Sequence, residues 1–424
     1  MAGPGQRKAT LRLTALGNSY TKLLTSYAIS NLSTGVLIVS LPLLATSITR
    51  HPLSISGLTA AAGLPWLLVG PLSGAIADRV NRRRAMALAE FGRAAIVGLG
   101  ALFVLGGGKS LLVLYLVMIL IGIGETLFDP IGLAMVPTLV KPSGMDTANS
   151  LLYGTQTLGQ RFAGPALGGW LFGLAVWAPL GLDALTFLMS GLVVLMLPRT
   201  PSHRESEWTV GGLSSDIMEG VRWVWGDRPL RAFLLGTATI HFSTAAGTSV
   251  LVLVAQDRFQ LSGVGFGLIL GGLAGGYFIG YLVAPSVVSR FPRAKLCVTS
   301  VLGAGCGFLL VAVSGVALLA GLGLAVVGFL AAQLEIVSIT YRQMGVPDRI
   351  RGRVMAGFLF VGHGSIPIGA VFGGTVATLT DVSYSYVAAA VAIAAIAPFL
   401  WRALKDADLE AGSAGARSEG QGPA

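Results

Sequence analysis

The sequence predicts an all-α polytopic membrane protein, with twelve membrane-spanning helices in two pseudo-repeated six-helix halves. Three observations carry this expectation. Only 11% of the 424 residues are charged while 54% are hydrophobic, whereas roughly a quarter of a soluble domain is charged. Apolar stretches of about 20 residues, the length that crosses a hydrocarbon core, recur from one end to the other. The basic residues gather in alternate connections.

Helices are favoured over a barrel because the segments are long, solidly apolar and rich in Leu, Ala and Gly, without the period-two alternation of short barrel strands. Turn signals place them at about 20–46, 54–77, 85–106, 111–137, 147–173 and 180–198, then 229–255, 263–287, 296–314, 318–343, 353–378 and 384–403. Residues 1–19 are polar and basic. The apolar run after them is too long for the core of a signal peptide, so it is expected to remain as the first helix.

Basic residues near helix ends stay cytoplasmic, which orients the chain. Arg50, Lys109 and Arg258 fall in outer connections and Arg93 and Arg161 inside helices, leaving 24 of the 29 Lys and Arg residues on one side. That predicts a multi-pass protein of the plasma (inner) membrane with both termini cytoplasmic. The net charge of +10 is thereby a topology signal, and a nucleic-acid partner is excluded. The two cysteines, Cys297 and Cys306, sit nine residues apart on one predicted helix, roughly 13 Å and beyond disulfide reach.

The longest polar connection, 199–228, divides the N-terminal half (20–198) from the C-terminal half (229–403). Within it "SSDIMEGVRWVW" reads as a short amphipathic interfacial helix. Residues 404–424 read as a cytoplasmic disordered tail. The halves echo each other: "GPALGGWL" (164–171) parallels "IGAVFGGTV" (368–376), and the same offset brings Asp129 beside Glu335.

Ionisable groups at membrane depth usually face a cavity or a partner. By depth Glu125 is level with Arg161 on the next helix, either as a proton or substrate switch or as a permanent ion pair that fixes register. Asp129 precedes Pro130, so it marks either a functional acid or a structural kink. Glu335 either titrates or binds a cationic group, or else bonds a neighbouring helix. Asn31, Thr34, Gln156, Gln333 and Gln343 line the cavity or tie helices together. His241 and His363 shuttle protons or pack, and with only four histidines in the chain neither a metal site nor a cofactor is expected. Glu90 and Arg93, three apart, read as a local pair near the cytoplasmic interface. "GGGKS" (106–110) imitates the end of a phosphate loop, but Phe103 replaces its first glycine and no strand precedes it. Nucleotide binding is therefore excluded. No arrangement of nucleophile, base and oxyanion donors stands out, so an enzyme is not expected.

"GPLSGAIADRVNRRR" (70–84), following the second of twelve helices, resembles the major facilitator superfamily. Gly70, Gly74, Asp78, Arg79, Arg82 and Arg83 occupy its motif between helices 2 and 3. "SNLSTGVLIVSLPLLA", "FDPIGLAMVPTLV", "TANSLL", "GPALGGWLFG", "MEGVRWVWGDRPLR" and "VPDRIRGRVMAG" narrow the resemblance to the drug-efflux branch of macrolide, multidrug and siderophore exporters. Gly164, Pro165, Gly168 and Gly169 resemble the antiporter motif of helix 5, with Gln160 where the pattern has Gly. Ser33 and Thr34 stand where relatives carry Gly-Asp, and the helix 4 arginine of many relatives is absent near Gly122 and Gly124.

The resemblance implies a secondary active transporter, a monomer in the lipid bilayer, that exports a lipophilic drug or natural product by alternating access in exchange for protons. It also implies that Asp78 meets the start of helix 11 near Gly352 and Arg353 as a latch between the halves. Uptake of a metabolite, or a membrane sensor or scaffold of the same fold, are the alternatives.

Overall fold

The computed structural model describes residues 16–70, 81–141, 144–198, 218–219, 222–288, 290–346 and 348–405. Among these the chain forms twelve long helices in succession and no strand. In the N-terminal half they are α1 (Asn18–Thr46), α2 (Pro52–Leu68), α3 (Arg82–Leu105), α4 (Leu111–Leu139), α5 (Met145–Gln156, continuing through Thr157–Ala163 and Gly164–Leu174) and α6 (Ala178–Leu195). In the C-terminal half they are α7 (Arg228–Arg258), α8 (Gly263–Val288), α9 (Arg293–Val313), α10 (Ala317–Gly345), α11 (Asp348–Leu379) and α12 (Val382–Lys405).

Ten of these helices contain a stretch long and apolar enough to span a membrane. The other two are α2, whose described part has 17 residues, and α5, which changes pitch at its centre. The expected end of helix 2 at 77 lies outside the described residues, as do residues 1–15, 199–217 and the tail beyond 405. Of the expected interfacial helix, 218–219 and 222–226 are helical.

Local chemistry explains the boundaries. The Asn81 side chain accepts from the Arg84 N–H at 3.1 Å, and Asp227 accepts from the Leu230 N–H at 2.9 Å, each satisfying an orphan donor at a helix start. Prolines open α2, α6 and α7, where the missing N–H costs nothing.

Two seams join the halves. Along one, α2 lies on α11, with Gly63 against Pro367 and Gly374 against Ser56. Along the other, α5 lies on α8, with Gly169 against the Gly263 backbone and the Pro165 carbonyl against Gly267. These are small-residue contacts, which let membrane helices approach backbone to backbone. Hydrogen bonds between described residues that cross from half to half lie at the face away from the starts of α1 and α7. Arg50 donates to Gln256 at 2.7 Å and to Asp257 at 2.9 Å, and the Leu53 N–H donates to Thr378 at 3.2 Å.

Candidate functional site between the two halves

Seven helices carry polar or aromatic side chains into the central space between the halves. Trp66 of α2 stacks on His363 of α11 with centroids 4.8 Å apart, and His363 lies 5.9 Å from His241 of α7. His363 is within electrostatic reach of both Glu125 and Glu335. Glu335 accepts a short 2.5 Å hydrogen bond from the Tyr281 hydroxyl. Arg161 lies over the Tyr277 ring at 4.8 Å, so α5 and α8 meet across the centre through a cation–π contact.

The expected pairing of Glu125 with Arg161 does not form. Glu125 instead accepts from the Gln160 amide at 2.9 Å. The reason is local: Thr157–Ala163 winds as a π-helix, and its wider turn rotates the following side chains relative to an α-helix. Gln160 therefore turns toward α4 and Arg161 toward α8. The π segment is seated on α1, where a Cβ at Gly35 would lie 2.9 Å from the Gln160 Cα. Gln160, the departure from the antiporter motif, is thus the partner of the α4 acid.

That motif lies between α1 and α8. A Cβ at Gly164 would meet the Gly35 Cα at 2.6 Å, one at Gly168 would meet the Val36 carbonyl at 2.6 Å, and Gly169 abuts Gly263. Pro165 is buried with them.

Several cavity candidates are bonded within a half, Asn31 inside its own helix and Gln333 and Thr34 to a neighbouring one. Asn31 is buried and its amide donates to the Tyr27 carbonyl at 2.8 Å. Gln333 is buried and donates to the Gly280 carbonyl of α8 at 2.8 Å. Thr34 accepts from Arg93 at 2.9 Å. Gln156 ends the first segment of α5, and the side chain of Gln343 lies outside the described residues. The Tyr27 hydroxyl donates to the Asp129 carbonyl at 2.8 Å, and the Asp129 carboxyl is within electrostatic reach of Glu125, Arg93 and Glu90.

Glu90 and Arg93 form the expected local pair, at 2.9 Å, and both are buried. Glu90 lies eight residues into α3, about 12 Å from its start. Ser30 of α1 bonds both partners, and Phe187 of α6 lies 4.2 Å from the Arg93 guanidinium. Asp183 of α6, fully buried, is within electrostatic reach of Arg93. Two internal charges within one predicted helix were the available signal for the pair.

Of the motif between helices 2 and 3, Gly74, Asp78 and Arg79 lie outside the described residues, as does the side chain of Arg353. Gly70 lies just past α2. Arg82 donates to the Ala134 carbonyl at 2.8 Å and Arg83 to the Leu197 carbonyl at 3.2 Å, so both bind carbonyls near the ends of α4 and α6.

Residues 16–418 match the family model described as transmembrane secretion effector, MFS_3. The chain belongs to this family of the major facilitator superfamily. The multidrug efflux pump Tap of Mycolicibacterium fortuitum is 27% identical over 398 residues, covering 88% of this chain and 93% of Tap. The MFS-type transporter y4rN of Sinorhizobium fredii is 27% identical over 375 residues, 84% and 88% of the two chains. Among solved structures, the nucleoside transporter NupG superposes with a TM-score of 0.74 at 15% identity, over 92% of this chain and 99% of NupG. A bacterial homologue of the iron transporter ferroportin in an inward-facing state reaches 0.70 at 17% identity, over 91% and 98%. These two share the fold. The protein is a multi-pass membrane transporter that handles small molecules, not an enzyme.

Proposed function

We propose that this superfamily member is a proton-coupled exporter of lipophilic drug-like or natural-product molecules, working by alternating access between its two halves. The observation that carries the reading is the row of titratable and aromatic side chains bridging the halves, from Glu125 with Gln160, through Trp66, His363 and His241, to Glu335 with Tyr281. Apolar walls with a few convergent polar groups suit a lipophilic ligand. Acids that hold a proton in one arrangement and a substrate in another supply the exchange. The multidrug efflux of the relative named above supports the direction and the substrate class.

In this reading both termini are cytoplasmic, the transporter is a monomer of the plasma membrane, and Glu125, Asp129, Arg161 and Glu335 carry the coupling. Asp78 latches the cytoplasmic side against the start of α11, where a helix N-terminus favours an anion. Everted vesicles from a host stripped of its own pumps, assayed across a drug panel with and without a proton gradient, test it. Gradient-driven accumulation of at least one compound is expected, lost in one or more of Glu125→Gln, Asp129→Asn and Glu335→Gln. Asp78→Asn should insert normally and transport poorly. Accumulation indifferent to the gradient and to all three acid variants would overturn the coupling.

A further inference from the structure

The N-terminal half contains a second group of ionisable residues, set behind the central space among α1, α3 and α6. Arg93 binds Glu90 through Nη1 at 2.9 Å and donates to Ser30 at 3.0 Å and to Thr34 at 2.9 Å. Ser190 lies beside Glu90 and bonds Ser26 at 2.8 Å. Asp183 completes the group. Its two carboxyl oxygens are buried with no hydrogen-bond donor, and Glu90 Oε2 and Arg93 Nε are likewise buried and unmatched.

Charge balance makes this arrangement informative. One guanidinium pairs directly with Glu90 and lies within electrostatic reach of the unmatched Asp183, in an interior where an uncompensated charge is expensive. Among the described residues the other cations of α1 and α3, namely Lys22, Arg82, Arg83 and Arg84, stand at the helix starts, and Arg93 is the cation within reach of Glu90, Asp129 and Asp183. From α1 the group meets Ser26, Ser30 and Thr34, and the Gly164–Leu174 segment packed on α6 contains no titratable residue. From α4 Asp129 is in reach of Glu90 and Arg93, and Glu125 in turn is in reach of Asp129, so both add negative charge on that side. One proton on Glu90 or Asp183 makes the group neutral, and its loss leaves one net negative charge between three packed helices.

The other half shows that the fold does not need these charges. There α7, α9 and α12 pack together as α1, α3 and α6 do, around buried Phe233, Val301, Ala304, Tyr386, Ala390 and Ile393. Charged residues of α9 and α12 stand only near their ends, at Arg293, Lys295, Arg402 and Lys405. Apolar packing fills that position adequately, and a buried ion pair is no more stabilising than well-packed apolar residues.

We propose that Glu90, Arg93 and Asp183 form a proton-binding site in the N-terminal half, separate from the substrate path, with Asp129 and Glu125 as the acids between it and the central space. Proton release sets the packing of α1 against α3 and α6, two arrangements of one element whose balance the proton biases. This goes beyond the exporter reading, since it assigns a proton site outside the cavity.

Infrared spectroscopy of the full chain in lipid nanodiscs at neutral pH tests it without a substrate or a gradient. The wild type should show the C=O stretch of a protonated carboxylic acid that shifts only slowly on transfer to deuterium oxide, as a buried group does. Its area should fall by one carboxyl in Asp183→Asn or in Glu90→Gln, and that one-carboxyl share should remain in each of Glu125→Gln, Asp129→Asn and Glu335→Gln, whose own protons add to the band separately. Absence of a slowly exchanging band in the wild type would overturn the proposal whatever the variants do. So would loss of the band in one of the three other variants together with its survival in both Asp183→Asn and Glu90→Gln. Failure here leaves gradient-driven efflux intact as a question, and failure of efflux coupling leaves this band unaffected.

Discussion

Gly124 of α4 is the surface on which the stem of Arg93 lies: a Cβ at Gly124 would meet the Arg93 Cγ at 2.6 Å and its Cδ at 2.7 Å. The guanidinium beyond is held by Glu90, Ser30 and Thr34 and by the face of Phe187. The absence of a side chain at Gly124 of α4 thus makes room for the stem of a cation from α3.

Gly124→Ala should therefore destabilise the N-terminal half, because the arginine cannot swing away without breaking its ion pair. Overpacking of this kind costs about 1–3 kcal/mol. A lowered thermal midpoint in detergent or nanodiscs checks it, and an unchanged midpoint would show that Arg93 has room to move.

Gly169→Ala acts on the seam instead. The new methyl meets the Gly263 carbonyl across the halves, so the cost falls on the arrangement in which α5 and α8 are in contact. A penalty of about 1–3 kcal/mol shifts that equilibrium by about one to two orders of magnitude. Electron–electron distances between spin labels at Leu53 and Thr378, which are hydrogen-bonded in this structure, should lengthen in the variant.

Arg50 and Asp257 join the halves at the same face, yet both side chains are 57% exposed. Exposed pairs contribute about 0.2–1 kcal/mol. A double-mutant cycle with Arg50→Ala and Asp257→Ala should give a coupling energy in that range, smaller at high salt. A value several times larger would mean that water is excluded from the pair.

Asp381 caps the start of α12, accepting from the Ser383 N–H at 2.8 Å. Bonds from the Ser383 backbone and hydroxyl and from the Val382 N–H hold its carboxyl below the usual carboxylate range. Because the folded state binds this proton less readily than the unfolded one, the cap contributes fully above the ordinary Asp value of about 3.9. Its contribution is lost as pH falls through the depressed value. Amide exchange at Val382–Ser385, corrected for the intrinsic rate, should accelerate on acidification in the wild type. Asp381→Asn, which also caps but does not titrate, should remove that dependence.

The sequence by itself determined the membrane class, the succession of apolar helices and the family, because each is written along the chain as hydropathy, charge placement or local motif. It also singled out Glu125, His241, Glu335 and His363, which the structure brings to the central space. It did not show which way a side chain faces around its helix. The π turn at Thr157–Ala163 directed Gln160 rather than Arg161 to Glu125. The packing of α3 between α4 and α6 buried the Glu90–Arg93 pair, which spacing alone gave only as a local pair. Depth in a membrane follows from counting residues at about 1.5 Å each. Azimuth depends on helix pitch and on which neighbours fill each face, and only the tertiary structure decides those.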